Sequence, residues 1–488
     1  MIPDLSSPSV HRAFVRRRAR ALVATVSIVV LGACRSAPLD DGYLDLPLRN
    51  GRAVAALADQ EPHAPPDAEL LEDAPGLLRW LVEHNAEVAA ARARVRGMEA
   101  ALDQSQLWPD PSLELAIAGI NVGRTNPSDL PSRDSQSYSA GLHESFEIGK
   151  RAPRIEAARL RVESERRRFT NLLGERASRA REALARELYL RSKIGVMQEN
   201  FDSARQMLDL EHQRLDQGDM SGNDFDRLSL DTTLLELDLP RARAEHEAAL
   251  ADVRAILGPE STPSRRGMEA LESAASVPET IEVEPAIEAR ADHAAISLEM
   301  QAAAEDAKLA RRRAIPDPIL GLEYTHDRLT EAGNQPDTLE LTVGMSLPLF
   351  DRGQHDARRA EERRAELAET LRESVRQSVA GATELLEKRK SLAGILQRIE
   401  KDALPKSSQV LDASTTAYDR GQLSLTDVLL ARRTHTDLVL KDMDLKLESF
   451  GVRNELRRVL GIDAELGAEL GAEFGARPSR SLIQEPRS

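Results

Sequence analysis

The chain of 488 residues is 41% hydrophobic, 30% charged and only 3% aromatic, which is typical of long exposed helices rather than of several compact enzyme cores. Its 66 basic and 81 acidic residues give a net charge of −15, which argues against a nucleic-acid-binding protein, because such proteins need a basic surface to displace counterions. The longest apolar run, near the start, falls short of the ~20 residues of a spanning helix, so the sequence also excludes a helical transmembrane protein.

The N-terminus predicts an export signal followed by a lipid anchor. Five arginines between positions 12 and 20 precede the apolar residues 21–31, a pattern typical of a secretory signal peptide over 1–33. Leu-Gly-Ala-Cys at 31–34 resembles the lipobox of bacterial lipoproteins, which implies that Cys34, the only cysteine, carries the lipid, as palmitate. The alternative is an ordinary signal with an incidental cysteine. Residues 34–75, rich in Pro, Asp and Gly, predict a lipid-anchored tether.

Most of the remaining chain is predicted to consist of two copies of one unit. Three landmarks recur in the same order. Trp-Pro-Asp-Pro at 108–111 matches Ile-Pro-Asp-Pro at 315–318, and Ser-Phe-Glu-Ile at 145–148 matches Ser-Leu-Pro-Leu at 346–349. Leu-Gly at 257–258 occurs again at 460–461. Because their offsets are nearly constant, we expect one repeat at 76–261 and a second at 284–461. Residues 462–488, which repeat Glu-Leu-Gly-Ala, predict a disordered low-complexity tail.

Each repeat is predicted to contain one β-hairpin. Apolar Leu339, Leu341 and Val343 alternate with polar Glu340 and Thr342, the period of a strand with two unlike faces. The predicted strands lie near 112–119 and 137–148 in the first repeat and near 318–326 and 338–349 in the second. They are either exposed hairpins packed on a helical body or membrane-spanning strands, which need roughly 9–11 residues and turn their apolar face to lipid.

Long helices are predicted to follow each hairpin. The runs 150–216 and 354–420 would each extend about 100 Å at roughly 1.5 Å per residue. Shorter helices are predicted at 79–107, 224–257 and 425–460, and two of them end to end would match one long helix. Pro240 and Pro405 are predicted to bend their helices. Helices that long and polar need neighbours along their length, as in a coiled-coil wall.

Four membrane strands would not suffice for a barrel. The smallest closed barrels have about eight strands, and open strand edges in lipid cost several kcal/mol for each unpaired backbone group. If the strands span a membrane, several copies of the chain must therefore share one barrel. The same association would give the long helices the neighbours that they lack.

These features together resemble the TolC-like outer-membrane efflux proteins (outer-membrane factors) over nearly all of residues 70–461. The segments that carry the resemblance are Leu-Trp-Pro-Asp-Pro at 107–111, Phe-Glu-Ile-Gly-Lys-Arg at 146–151, Ser-Leu-Pro-Leu-Phe-Asp-Arg-Gly at 346–353, and the two helix-turn-helix segments at 214–224 and 418–429. The resemblance implies a mainly α fold with a membrane β-barrel part: a homotrimer that forms a 12-stranded outer-membrane barrel and an α-helical periplasmic tunnel. It also implies a lipid-anchored outer-membrane location, a periplasmic adaptor protein and an inner-membrane resistance–nodulation–division pump as partners.

The two helix-turn-helix tips contain the candidate functional residues. The candidates are Gly218, Ser221 and Asp224 at the first tip and Gly421, Ser424 and Asp427 at the second. Each glycine suits a tight turn, each serine suits a helix cap, and each aspartate suits the first helical turn. In the family, the residue that matches Asp427 lines the closed periplasmic aperture and favours cations. The family's further acidic position, three residues later, is Leu430 here, which leaves a second ring of acidic residues in question.

Other kinds of site are not predicted. The ten histidines are scattered without metal-ligand spacing, and the sequence has no nucleophile elbow or Gly-rich phosphate loop. We therefore expect no catalytic residue, no metal and no cofactor. The efflux channel is the leading hypothesis, and Glu-Ile-Gly-Lys-Arg-Ala at 147–152 is similar to the heavy-metal cation-efflux branch of the family. The alternative is a lipid-anchored coiled-coil periplasmic adaptor or scaffold, in which a small β domain would separate the helices.

Overall fold

The structure, a computed structural model, describes residues 73–120, 122, 132–258, 267–278, 282–329 and 335–464. All of them belong to one of two units, residues 65–488, and the other unit, residues 1–64, lies outside the described residues. The predicted signal peptide, Cys34 and the predicted tether as far as residue 72 thus lie outside the described residues.

Helices make up most of the described chain and accompany one four-stranded sheet. The helices are α1 Ala74–His84, α2 Ala86–Gln106, α3 Arg151–Asp216, α4 Gly222–Leu257, α5 Ala270–Ser273, α6 Val283–Glu288, α7 Ala291–Arg312, α8 Gln354–Arg398, α9 Leu404–Asp419 and α10 Leu425–Val459. The strands are β1 Ser112–Ala118, β2 Ser137–Ser145, β3 Pro318–Asp327 and β4 Asp337–Met345. None of the described helices has the length and apolar composition that a membrane-crossing helix requires.

The two hairpins form one antiparallel sheet in the order β1-β2-β3-β4, so that β2 and β3 join the two repeats. Directly paired residues share a face of the sheet. On one face Leu113, Leu142, Leu322 and Leu341 lie side by side across all four strands. The predicted alternation is therefore confirmed, and its apolar face is open: Leu341 is 74% exposed.

The strands following each loop end earlier than predicted. β2 ends at Ser145 rather than near 148, because Glu147 turns back to pair with Arg154 at 2.5 Å and Gly149 takes a φ of +69°. β4 ends at Met345 rather than near 349. The chain there approaches Pro348, which has no N–H to donate to a ladder.

The predicted single helix 79–107 is wrong at its start and in its middle. The helix begins at Ala74, inside the predicted tether, because Asp73 caps it by accepting a hydrogen bond from the Gly76 N–H at 3.0 Å. Asn85 then interrupts it with an extended backbone, and its side chain accepts hydrogen bonds from the first N–H groups of α2. Asparagine is among the residues that favour such caps over helix interiors.

The two long helices differ in continuity. α3 is unbroken over 66 residues, but its counterpart changes to a π-turn at Ile399–Ala403 before resuming as α9. Pro405 lies in the first turn of α9, and a proline removes one i→i−4 hydrogen bond and crowds the preceding turn. A π-turn thus directly precedes the helix that contains Pro405, and the bends predicted at Pro405 and Pro240 stay predictions. Pro240 lies within α4 without ending it.

The largest hydrophobic cluster lies around the middle of α3. Leu173 and Leu188 of α3 are fully buried there among α1, α4, α5 and α10. Leu77 and Leu81 of α1 enter it from one side and Phe450 of α10 from another. An apolar core therefore holds α3 at the middle of its length.

A buried ion cluster fastens the end of the second repeat to α3. Asp463, 1% exposed, accepts hydrogen bonds from Arg181 at 2.6 and 2.8 Å and from Arg457 at 2.8 Å. Burial alone would raise the pKa of Asp463, but the hydrogen bonds and charges of these two arginines outweigh burial and lower it. The predicted tail 462–488 therefore begins too early, since residues 462–464 are part of the folded repeat; residues 465–488 lie outside the described residues.

We expect Asp463→Asn to lower the free energy of unfolding by about 3–5 kcal/mol, because it leaves two buried arginines without their carboxylate. Thermal or urea unfolding in detergent would measure the change. Asp437→Asn, exposed on α10, is the matched control and should change stability by less than about 0.5 kcal/mol. Equal stabilities of the two variants would contradict this role for Asp463.

The contribution of Asp463 to the free energy of unfolding should decrease as the pH falls. Since its folded-state pKa lies below the ordinary carboxyl value of about 3.9, its stabilisation is complete above that value and is lost as the pH falls through the folded pKa. The stability gap between wild type and Asp463→Asn should therefore be constant near neutrality and shrink below about pH 4.

Candidate functional site at the helical tips

Both helical tips turn on a glycine with left-handed backbone. Gly218 and Gly421 have φ of +82° and +70°. After each one the chain closes with the hydrogen bonds of a Schellman motif: Asp219 N–H to Arg214 O at 2.9 Å at the first tip, and Gln422 N–H to Ala417 O at 2.9 Å at the second. A side chain at either glycine would have open space but would be strained by its positive φ.

The serines that follow the turns are not equivalent. Ser424 caps α10, because its Oγ accepts a hydrogen bond from the Asp427 N–H at 3.3 Å and donates one to the Asp427 carboxylate at 2.5 Å. Ser221 occupies the same position before α4, but its side chain makes no capping hydrogen bond. Only the second tip thus has a fully formed side-chain cap.

The aspartates also differ in their surroundings. Asp427 is exposed in the first turn of α10 and accepts a hydrogen bond from Ser424, while its other carboxylate oxygen has no partner among the described residues. Asp224 is half-buried in the first turn of α4, and its Oδ1 lies 3.9 Å from Arg227 Nη1. One carboxylate therefore faces a neighbouring cation and the other faces solvent.

The structure brings the two tips together through residues that the sequence did not single out as a pair. Arg227 of α4 donates a hydrogen bond to Thr426 Oγ1 of α10 at 3.3 Å. Nearby, the Arg214 guanidinium lies over the Tyr418 ring, 5.6 Å from its centre, and binds Glu211 at 3.0 Å. Burial, followed by the neighbouring Glu211 carboxylate, raises the pKa of Tyr418. Spacing from the turn glycines places Arg214 and Tyr418 near the tips, but no sequence signal pairs residues some 200 positions apart.

The site offers charge and shape rather than reactive groups. Among the described residues, no group of three or more His, Cys, Asp or Glu side chains is placed to hold a metal ion. One turn beyond Asp427, Leu430 is 64% exposed, so that an apolar side chain stands where the family's further acidic residue would be. The predicted lipid-attachment residue, Cys34, lies outside the described residues.

The difference between the two caps leads to a local prediction. Ser424→Ala should cost about 1 kcal/mol of helix stability, whereas Ser221→Ala should cost little, because only Ser424 makes the capping bond. Hydrogen exchange of the backbone should therefore accelerate in the first turn of α10 in Ser424→Ala and stay unchanged in the first turn of α4 in Ser221→Ala. Equal acceleration at both tips would show that the cap hydrogen bond is not the cause.

The second repeat matches a known family in sequence. Residues 283–461 match the family model described as outer membrane efflux protein. No curated protein matches the chain at a significant level.

Solved structures share the fold well beyond that matched segment. CusC, whose structures concern folding and transmembrane channel formation, superposes with a TM-score of 0.67 at 16% identity, covering 80% of this chain and 92% of CusC. The outer membrane channel CmeC of Campylobacter jejuni gives a TM-score of 0.66 at 14% identity, covering 86% of this chain and 93% of CmeC. The outer membrane protein VceC of Vibrio cholerae gives 0.63 at 18% identity, covering 80% of this chain and 96% of VceC.

The order of two hairpins and two sets of long helices, the sequence match over the second repeat and the shared fold agree. Residues 283–461 therefore match the outer membrane efflux protein family in sequence, and the chain shares the fold of the solved outer-membrane channels.

Proposed function

We propose that this protein is the outer-membrane channel of a tripartite efflux system. Three copies form one 12-stranded barrel continued by a periplasmic helical tunnel, which serves as a passive conduit rather than as an enzyme. One observation carries the proposal. Inside the chain, the strands and long helices of one repeat pair and pack with those of the other, whereas on the outer side of each repeat the edge strand and the neighbouring helix have no such partner among the described residues.

The sheet supplies the first part of this support. Among the described residues, β1 and β4 are its two edge strands, and each has a row of backbone groups that no other described strand pairs. Both faces of the edge strand β4 are largely exposed, and on its apolar face Leu339 and Val343 are 70% and 65% exposed. An edge of this kind in lipid must be paired, and β4 of one copy with β1 of the next satisfies both edges at once.

The helices supply the second part. α7 of the second repeat packs between two long helices, α3 on one side and α8 on the other. Its counterpart α2 packs extensively only against α3 among the described elements, with a small contact to the short α1. The missing neighbour of α2 corresponds to a second long helix, which α8 of another copy provides. The edge strand β1 and the helix α2 that precedes it thus both lack a partner on the same side of the first repeat.

The apolar sheet face and the polar helices support a membrane end and a periplasmic end of the molecule. The exposed leucines of the sheet suit the hydrocarbon of the outer membrane, with the opposite face, which holds Glu114, Glu323 and Glu340, turned to the lumen. The helices, rich in ion pairs, then extend into the periplasm. Cys34 adds a lipid anchor in the outer membrane.

The partners follow from the family rather than from any contact in this chain. A periplasmic adaptor protein would hold the helical tips, and an inner-membrane resistance–nodulation–division pump would deliver the cargo. The cargo is small molecules or metal cations, the latter in line with the similarity of residues 147–152 to the heavy-metal branch. Three copies of Asp427 at the tunnel mouth would concentrate cations there.

This assignment makes Asp427 a selectivity residue. In planar bilayers, Asp427→Ala should shift the cation-to-anion permeability ratio towards one and raise the half-blocking concentration of a trivalent cation about tenfold, a change of about 1.4 kcal/mol. Asp224→Ala is the matched control on the other tip and should change both quantities less, because Asp224 already faces Arg227. If Asp427→Ala leaves selectivity and block unaltered, Asp427 is a helix-capping residue only.

Loss of the anchor separates the channel from the adaptor or scaffold alternative. Cys34→Ser should abolish incorporation of labelled palmitate, yet the protein should still require detergent for extraction from outer membranes, because the barrel holds it there. A lipid-anchored scaffold would instead be released. Recovery of Cys34→Ser as a soluble monomer would overturn the channel.

A further inference from the structure

The joint between the two repeats has a specific anchor at the base of the sheet. Asp317, next to the first residue of β3, accepts hydrogen bonds from the Ile148 N–H at 3.2 Å and from Lys150 Nζ at 2.6 Å, both in the loop that follows β2. Above it, the Phe146 N–H donates to the Pro318 carbonyl at 2.9 Å and continues the β2–β3 ladder. The carboxylate that precedes β3 thus binds the loop that follows the neighbouring strand β2.

The same carboxylate occurs at the open side of the first repeat. Asp110 stands in Trp-Pro-Asp-Pro, just before β1, as Asp317 stands in Ile-Pro-Asp-Pro, just before β3. Asp110 is exposed and has no hydrogen bond or ion pair with any described residue. The first repeat therefore has the carboxylate that corresponds to Asp317, but no described residue binds it.

The open side of the second repeat has the complementary charge. The loop that follows β4, residues 346–353, corresponds to the loop that follows β2, and Arg352 is its one cationic residue. Asp351 beside it is already engaged, since it accepts a hydrogen bond from the Gly353 N–H at 2.8 Å. Arg352 is exposed, and only its Nε and backbone N–H have acceptors among the described residues. The loop is longer than its counterpart, but it contains no other cation.

The strand faces agree with such a joint. Transferring the β2–β3 register to β4 and the β1 of another copy sets Val343 opposite Leu115 and Gly344 opposite Glu114. Apolar positions then meet apolar positions, and the lumen face continues from one copy to the next. A register shifted by one residue would mix the two faces.

We propose that Asp110 of one copy forms an ion pair with Arg352 of the next copy, the intermolecular counterpart of the Asp317–Lys150 pair. This inference rests on the proposed homotrimer and adds the residues that set its register at the periplasmic base of the barrel. The partner is a second copy of this chain, and the contact occurs three times in a closed ring.

Charge reversal tests the pair. Asp110→Arg and Arg352→Asp should each lower the temperature at which the detergent-solubilised trimer dissociates, and the double variant should recover most of the loss. Asp238→Arg, an exposed charge reversal on α4, is the matched control and should leave the dissociation temperature unchanged. The proposal is overturned if the single variants behave like the control, or if the double variant is no better than the singles.

Cysteine cross-linking provides a second measurement that does not depend on stability. Asp110→Cys combined with Arg352→Cys should give covalent dimers and trimers on non-reducing gels after mild oxidation in the membrane, whereas each single variant, which also retains Cys34, should not. A wild-type protein that is monomeric in a non-denaturing detergent would refute the proposed channel. A wild-type trimer without cross-links would refute the Asp110–Arg352 pair alone.

Discussion

Unpaired backbone groups at the two edges of the sheet are the constraint on which the other features of this protein depend. Four strands cannot close on themselves, and in hydrocarbon each unpaired N–H or C=O costs several kcal/mol. The chain solves this problem internally once, where β2 pairs with β3, and at that joint the long helix α3 also packs against α7. The proposed assembly applies the same solution between copies, so that the duplicated unit builds both the wall within a chain and the wall around the ring.

The internal joint shows how little specialised chemistry such a wall needs. The polar contacts between α3 and α7 are one serine hydroxyl that donates to a carbonyl, Ser164 to Ala295 at 2.9 Å, and ion pairs such as Arg161 with Asp306. Exposed pairs of this kind contribute little individually. The buried cluster of Arg181, Arg457 and Asp463 is different, since it joins the end of the second repeat to the middle of α3. Stability is therefore concentrated at the middle of the helices, and the tips depend on caps and surface contacts.

Periodic features of this fold can be predicted from the sequence, and single-residue events cannot. The alternation around Leu341 and the glycines at the two tips are patterns that recur in both repeats, so they can be recognised twice. Asn85 ends one helix and caps the next, a choice that depends on which hydrogen bonds the neighbouring turns leave open. Asp463 lies at the start of a low-complexity segment, and its pairing with the distant Arg181 makes it part of the core. The pairing of Arg227 with Thr426 likewise joins residues whose proximity is a property of the packed tips.

The π-turn in the second long helix alters how the two repeats correspond. From cap to cap, the second helix contains the same 66 residues as α3, but one turn of it is wound with i→i+5 hydrogen bonds. Because an α-helix advances by about 100° per residue, the additional residue in that turn rotates every later side chain by about this angle relative to α3. Positions at an equal number of residues from the sheet therefore point in different directions beyond Ala403. The two repeats keep the same spacing in sequence, but their long helices differ in helical phase near the tips, which gives the two tips distinct surfaces for the same number of residues.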